Sequence, residues 1–204
     1  MIKFQQMKIL ERARDLILDP RSTWQTIKDE AVEARSLLSN YAAVLMLIPA
    51  ISSLIGMTLV GYRLTGGNVV RAPFTTAFLG GVLGYFLTLA GIYVGALAVA
   101  RIAAFFESKT DLDSVMKLIV YSLTPTWLVG IFGLVPGMGI LSILGLYGIY
   151  LMFIGLPIAL DTPAGHVAWF TVSILFIGLF ISFVLTSIML GMVYGPMYLN
   201  MMAR

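Results

Sequence analysis

Residues 118–203, a stretch of 86 positions, contain one acid, Asp161, one histidine, His166, and neither Lys nor Arg. Soluble domains average roughly 25% charged residues, so a segment this long without them is built for a lipid solvent. Over all 204 residues, 59% are hydrophobic and 11% charged. The 13 basic residues flank apolar runs: seven in 1–37, two in 63–71, three in 101–117, and Arg204. Placement beside hydrophobic spans is the orientation signal of a membrane protein. A nucleic-acid binder would gather the same charges on one face with aromatic platforms, so nucleic acid is excluded as a partner and the lipid bilayer is expected. The chain has no cysteine, which removes thiolate catalysis and thiolate metal sites.

Five apolar segments follow in order, at about 38–62, 74–104, 115–134, 138–160 and 167–199. They predict an all-α membrane protein, a five-transmembrane-helix bundle. The second and fifth exceed the roughly 20 residues a crossing needs, yet neither holds two crossings and a turn, so tilted or protruding helices are expected. With the N-terminus cytoplasmic, ten Lys/Arg fall inside and three outside, which predicts a cytoplasmic N-terminus and an outside C-terminus.

Residues 1–36 form a separate cytoplasmic segment ahead of the membrane domain, 37–204. They are densely charged and lack the apolar core of a signal peptide, so they read as the mature start. Met7, Leu10, Arg14 and Ile17 share one helical stripe, which predicts a short amphipathic helix on the membrane surface. Pro20 ends it. Ser22 and Gln25 then fit a capping box opening a second short helix over 23–34. Trp24 is expected at headgroup level as an interfacial anchor, and Arg101, at the end of the second span, is expected to snorkel to the headgroups or to pair with Glu107. The competing reading of 1–36 is a charged, partly disordered tail.

Gly80, Gly84, Thr88, Gly91, Gly95 and Ala98 recur at steps of three or four along the second span. Small residues let helix backbones approach closely in lipid. This face serves packing within the bundle or, alternatively, a homodimer seam. A shorter glycine face, Gly145, Gly148 and Gly155, lies on the fourth span, and Gly191 and Gly195 close the fifth. Pro49, Pro125 and Pro157 each free a carbonyl four residues earlier, those of Leu45, Tyr121 and Phe153. In hydrocarbon such a carbonyl needs a new donor, with Ser122, Thr124, Thr126, Tyr121, Tyr147 and Tyr150 as candidates. These breaks are either plain kinks or the wall of a polar cavity. Pro136-Gly137 matches a type II turn that folds the third and fourth spans into a hairpin.

Tyr121-Ser122-Leu123-Thr124-Pro125, then Pro136-Gly137, then Tyr147-Gly148-Ile149-Tyr150-Leu151 leading to Gly155-Leu156-Pro157, resembles the core of the Yip family, named for Ypt-interacting protein. Asp19-Pro20-Arg21-Ser22-Thr23-Trp24 followed by Ile27 resembles the segment preceding the first span in bacterial members. The resemblance implies five spans, a cytoplasmic N-terminus and a bacterial inner-membrane location. Eukaryotic relatives bind Rab-type GTPases. Their acidic-Leu-Tyr-Gly-Pro-aromatic motif is missing here, where Leu37-Leu38-Ser39-Asn40-Tyr41 stands in its place, so GTPase binding is not carried over.

Little points to catalysis. Asp161 and His166 share a loop, but no second histidine, nucleophile elbow or phosphate loop completes a site; they read as solvated loop residues. Glu107, Asp111 and Asp113, with Lys109 and Lys117, read as a solvated loop in which Asp113 or Ser114 caps the third span. The bundle core shows no ionisable relay of the kind a proton-coupled pump needs. The expected function is non-enzymatic and without cofactor: membrane organisation, or recruitment of a protein partner at the cytoplasmic N-terminus. The alternative is a channel, transporter or lipid-translocating protein, with Tyr121, Pro125, Tyr147 and Tyr150 lining a path.

Overall fold

The computed structural model describes residues 2–63, 69–135 and 138–202. Two short helices come first, α1 (Ile2–Leu18) and α2 (Pro20–Asp29). A continuous helix, Ala34–Val60, follows. Within it α3 (Ala34–Leu37) passes through a π-helical turn into α4 (Ala43–Ile55), and a second π turn, Gly56–Val60, ends it. A two-stranded antiparallel ribbon pairs Tyr62 with Val70 and Arg63 with Val69. Then come α5 (Phe74–Ala103), α6 (Leu112–Val129), α7 (Tyr147–Ala159) and α8 (Val167–Met202).

Among the described residues four helices are long and apolar enough to cross a membrane: Ala34–Val60, Phe74–Phe106, Leu112–Leu134 and Val167–Met192. The fourth apolar segment differs. It runs as a 3-10 helix over Met138–Leu146 before α7 completes it. At about 1.5 Å per residue α5 is about 45 Å long, beyond the roughly 30 Å hydrocarbon core, as its excess length predicts.

α6 is the central helix. Of its best apolar window 61% is buried, against 6% for α8, so α6 packs on neighbours all round while α8 faces outward. Pro49 lies against Gly130, where an added Cβ would meet its ring at 2.6 Å. A Cβ on Gly56 would meet the Gly133 carbonyl oxygen at 2.1 Å. The first spanning helix and the end of the third therefore touch backbone to backbone, which glycine alone permits. The proline break in α4 is seated in this contact. Pro136 and Gly137, the expected turn, lie outside the described residues.

The second-span glycines pack within the chain. A Cβ on Gly91 would meet Leu185 at 2.7 Å and Ile181 at 3.1 Å, and one on Gly95 would meet Ile181 at 3.2 Å. Gly84 faces only the end of Met189, at 3.5 Å. α5 and α8 thus close along Gly91 and Gly95.

The N-terminal segment departs from expectation. α1 and α2 form a helical hairpin docked on α6 and α7, with Leu16, Trp24 and Ile27 fully buried. Trp24 is an internal residue rather than a headgroup anchor. Asp19, not Ser22, caps α2, its side chain accepting from the Ser22 N–H, and Pro20 takes the first helical position, where its missing N–H costs nothing. The cap of α6 is likewise Asp111, whose carboxylate accepts from the Ser114 N–H at 2.9 Å. Asp113 instead accepts from the Ala34 N–H at 2.7 Å, tying the start of the first spanning helix to α6.

Gly91→Leu is expected to push α8 from α5 and destabilise the detergent-solubilised protein by about 1–3 kcal/mol, the usual cost of overpacking. Gly81, with open space around it, is the control: Gly81→Leu leaves the thermal melting temperature unchanged.

Candidate functional site

Beneath the hairpin lies a buried polar cluster. The Trp24 ring meets Tyr121 edge-on at 6.2 Å, and Tyr121 meets Tyr41 at 5.0 Å. The Tyr41 hydroxyl shares a 3.0 Å hydrogen bond with the Thr124 hydroxyl. Tyr41 sits in the π turn Leu38–Ala42, where the wider winding faces it toward α6. Ser122 Oγ and Trp24 Nε1 are buried without a protein partner. Buried polar atoms in native folds usually find donors or acceptors, and these two are exceptions within a tightly packed cluster. Pro125, one turn on, is buried too and frees the Tyr121 carbonyl.

Glycine makes the hairpin fit. A Cβ on Gly155 would lie 2.7 Å from the Trp24 indole and 2.9 Å from Leu118. On Gly148 it would lie 2.3 Å from the Ser122 carbonyl oxygen. Gly155 is the socket for Trp24, and Gly148 lets α7 close on α6.

Polar contacts hold the hairpin down. Lys117 was expected in a loop. It lies inside α6, buried, and its ammonium donates to the carbonyls of Ile27, at 3.1 Å, and Glu30. The Ile27 carbonyl lies at the end of α2, where helix carbonyls lack partners within the helix and a cation meets the negative end of the dipole; that of Glu30 also accepts from the Val32 N–H at 3.2 Å. Arg12 pairs with Glu30. The Tyr147 hydroxyl donates to the Ile17 carbonyl at 3.1 Å. Asp161 receives Lys28 at 2.7 Å and Lys109 at 2.9 Å. Its backbone is left-handed, φ 52°, a conformation Asp tolerates better than most residues, and this aims one carboxylate at both lysines. Asp161 is therefore a structural clamp rather than a free loop acid.

The remaining residues singled out from the sequence scatter. Tyr147 and Tyr150 pack at 5.3 Å, but Tyr150 is exposed, as is Pro157. Tyr121 and Pro125 are buried on α6. Arg101 is exposed in the last turn of α5 and forms no ion pair with Glu107. Gly80 and Gly84 border an apolar cavity of about 510 Å³ between α4, α5 and α8, with Pro49, Tyr85 and Met189 on its wall. Sequence reasoning missed Lys117 and Tyr41. A lysine one turn inside an apolar span was the available signal for the first, and nothing local marked the second.

The Asp161 carboxyl is held below the usual carboxylate range, first by the hydrogen bond from Lys28 and then by that from Lys109. The same bond pushes Lys28 up. A lowered carboxyl stabilises the fold above its unfolded pKa and loses this as pH falls through its folded value; a raised lysine does the reverse on the alkaline side. The clamp is therefore complete at neutral pH and opens in acid, below the usual carboxylate range. Asp161→Asn should speed proteolytic cleavage of the hairpin at neutral pH and abolish its acid dependence. Lys117→Met keeps the stem's volume and strands the Ile27 carbonyl, since that of Glu30 also accepts from the Val32 N–H at 3.2 Å; this should cost about 1–3 kcal/mol for the one acceptor left buried and unpaired, read as a lower melting temperature.

The Yip1 domain model matches residues 14–186. Inner membrane protein YohC of Escherichia coli K12 is 25% identical over 177 residues, covering 85% of this chain and 91% of its own length. YohC of Escherichia coli O6:H1, strain CFT073, matches to the same extent. No solved structure matches. The matched region begins inside α1 and takes in the docked hairpin, its Gly155 socket and the Lys117 and Asp161 contacts; with most of its length covered, the chain belongs to the Yip1 domain family.

Proposed function

We propose that this is a non-enzymatic protein of a bacterial inner membrane, with five crossings, that uses its hairpin as a cytoplasmic recruiting surface. The charge distribution supports the orientation: seven of the 13 basic residues lie in 1–37, and such residues remain on the cytoplasmic side. In this reading the 3-10 and α-helical parts of 138–159 together make the fourth crossing, at about 2.0 and 1.5 Å per residue.

The observation that carries the reading is the division of the hairpin into two faces. Its inner face is consumed by the fold, with Ala13, Leu16, Trp24 and Ile27 buried. Its outer face exposes Glu11, Arg14, Arg21 and Gln25, none of which contributes to the core. Exposed charge presented on a rigidly docked element suits the capture of a partner. Removing residues 1–36 would empty the Gly155 socket, so deletion tests folding rather than recruitment.

The better experiment replaces Glu11, Arg14, Arg21 and Gln25 with Ala together. The expected result is unchanged melting and loss of whatever proteins crosslink to the hairpin in cells. An unchanged crosslinking pattern, with melting also unchanged, overturns the recruiting role.

A further inference from the structure

We propose that the outer face of the α1–α2 hairpin is a lipid-headgroup surface, set about half a bilayer deep, that draws the adjoining leaflet's headgroups inward on one side of the bundle. α2 runs alongside α7 in the same direction: Ile17 meets Tyr147, Trp24 meets Gly155, and Lys28 meets Asp161. From Tyr147 to Asp161 is about 20 Å at 1.5 Å per residue. The hairpin tip therefore stands about 20 Å above the loop that holds Asp161.

The last helix, α8, supplies the ruler. α8 starts at Val167, immediately after that loop, and Phe170 near its start stacks on Phe106 at 4.5 Å. Rising from there it exposes Trp169, Val172, Phe176, Leu179 and Phe180, at 71, 41, 68, 67 and 68%. These occupy about the first 20 Å of the helix, the same heights as the hairpin. An exposed stripe of this kind is lipid-facing, and its lowest member is a tryptophan, the side chain of the headgroup boundary.

At those heights the hairpin shows a different surface. Arg14, Asp19, Arg21, Ser22 and Gln25 are exposed and Asp15 is half-buried. Arg14 pairs with Asp15 at 2.9 Å, whereas Arg21 forms no ion pair among the described residues. Placing such charges in hydrocarbon costs several kcal/mol each by the gentlest scales. The bilayer resolves this by local thinning, with phosphates rising to meet the arginines. At the turn Leu18 is 74% and Ile17 39% exposed, beside the exposed Asp19. The polar flank thus makes a recess in one leaflet. This rests on the chain spanning a bilayer; the recruiting reading then holds only for a partner that reaches Arg14 and Arg21 through the recess so formed.

Spin labels in the full chain test it, since the protein has no cysteine to remove. Ser22→Cys and Phe176→Cys lie at similar heights, on the hairpin and on α8, and neither side chain supports the fold. The variants are reconstituted in phosphatidylcholine–phosphatidylglycerol vesicles and probed with a water-soluble nickel complex against oxygen. The expected result is a nickel-accessible label at 22 and an oxygen-accessible, nickel-protected label at 176. Two outcomes overturn the proposal. Protection at both sites places the hairpin in hydrocarbon, and nickel access at both places this half of the bundle outside the bilayer. Arg14→Gln with Arg21→Gln should lower nickel access at 22; unchanged access shows that the arginines do not draw headgroups in and overturns that assignment.

Discussion

An ammonium group buried inside an apolar helix requires a reason, and Lys117 has one. Its donors meet carbonyls that the end of α2 cannot bond within itself. The charge and the unpaired Ile27 acceptor are each costly alone, and each removes the other's cost. Around this contact the hairpin takes its position: Trp24 enters the Gly155 notch, Glu30 meets Arg12, and Lys28 reaches Asp161. The N-terminal helices are thereby part of the bundle's interior rather than an appendage to it.

Close approach of backbones is the second constraint. In lipid there is little hydrophobic drive between helices, so contact depends on shape. Gly56, Gly91, Gly148 and Gly155 each stand where a Cβ would lie under 3 Å from a neighbour. These contacts join α4 to the end of the third span, α5 to α8, α7 to α6, and α7 to the hairpin. The bundle is assembled from notches, and the proline break at Pro49 is one of the ridges that fills them.

The membrane class, the apolar segments and the family were legible in the chain, because composition and span length are local properties. The glycine stripe on α5 was legible as a packing face, and its partner α8 was not, since nothing in the periodicity of one helix names another. The Asp19-Pro20 pair carried a stronger helix-start signal than Ser22, a cap followed by proline at the first helical position. Trp24 misled for a physical reason. Tryptophan beside basic residues at the edge of a span has the composition of an interfacial anchor, and only the notch at Gly155, far along the chain, makes it a core residue. Lys117 was hidden in the same way, because its partners are backbone carbonyls 87 and 90 positions earlier.

Those sequence separations carry a consequence for biosynthesis. The hairpin leaves the ribosome before the rest of the bundle, while Gly155 and Asp161 are made more than a hundred residues later; Lys28 and its acceptor are 133 positions apart. Throughout that interval Leu16, Trp24 and Ile27 have no socket. An amphipathic segment with such a face rests on the nearest bilayer surface until its partners arrive. The last crossing to be completed around the hairpin thus decides when the first helices of the chain can fold, and the N-terminus is among the final parts to reach its native place.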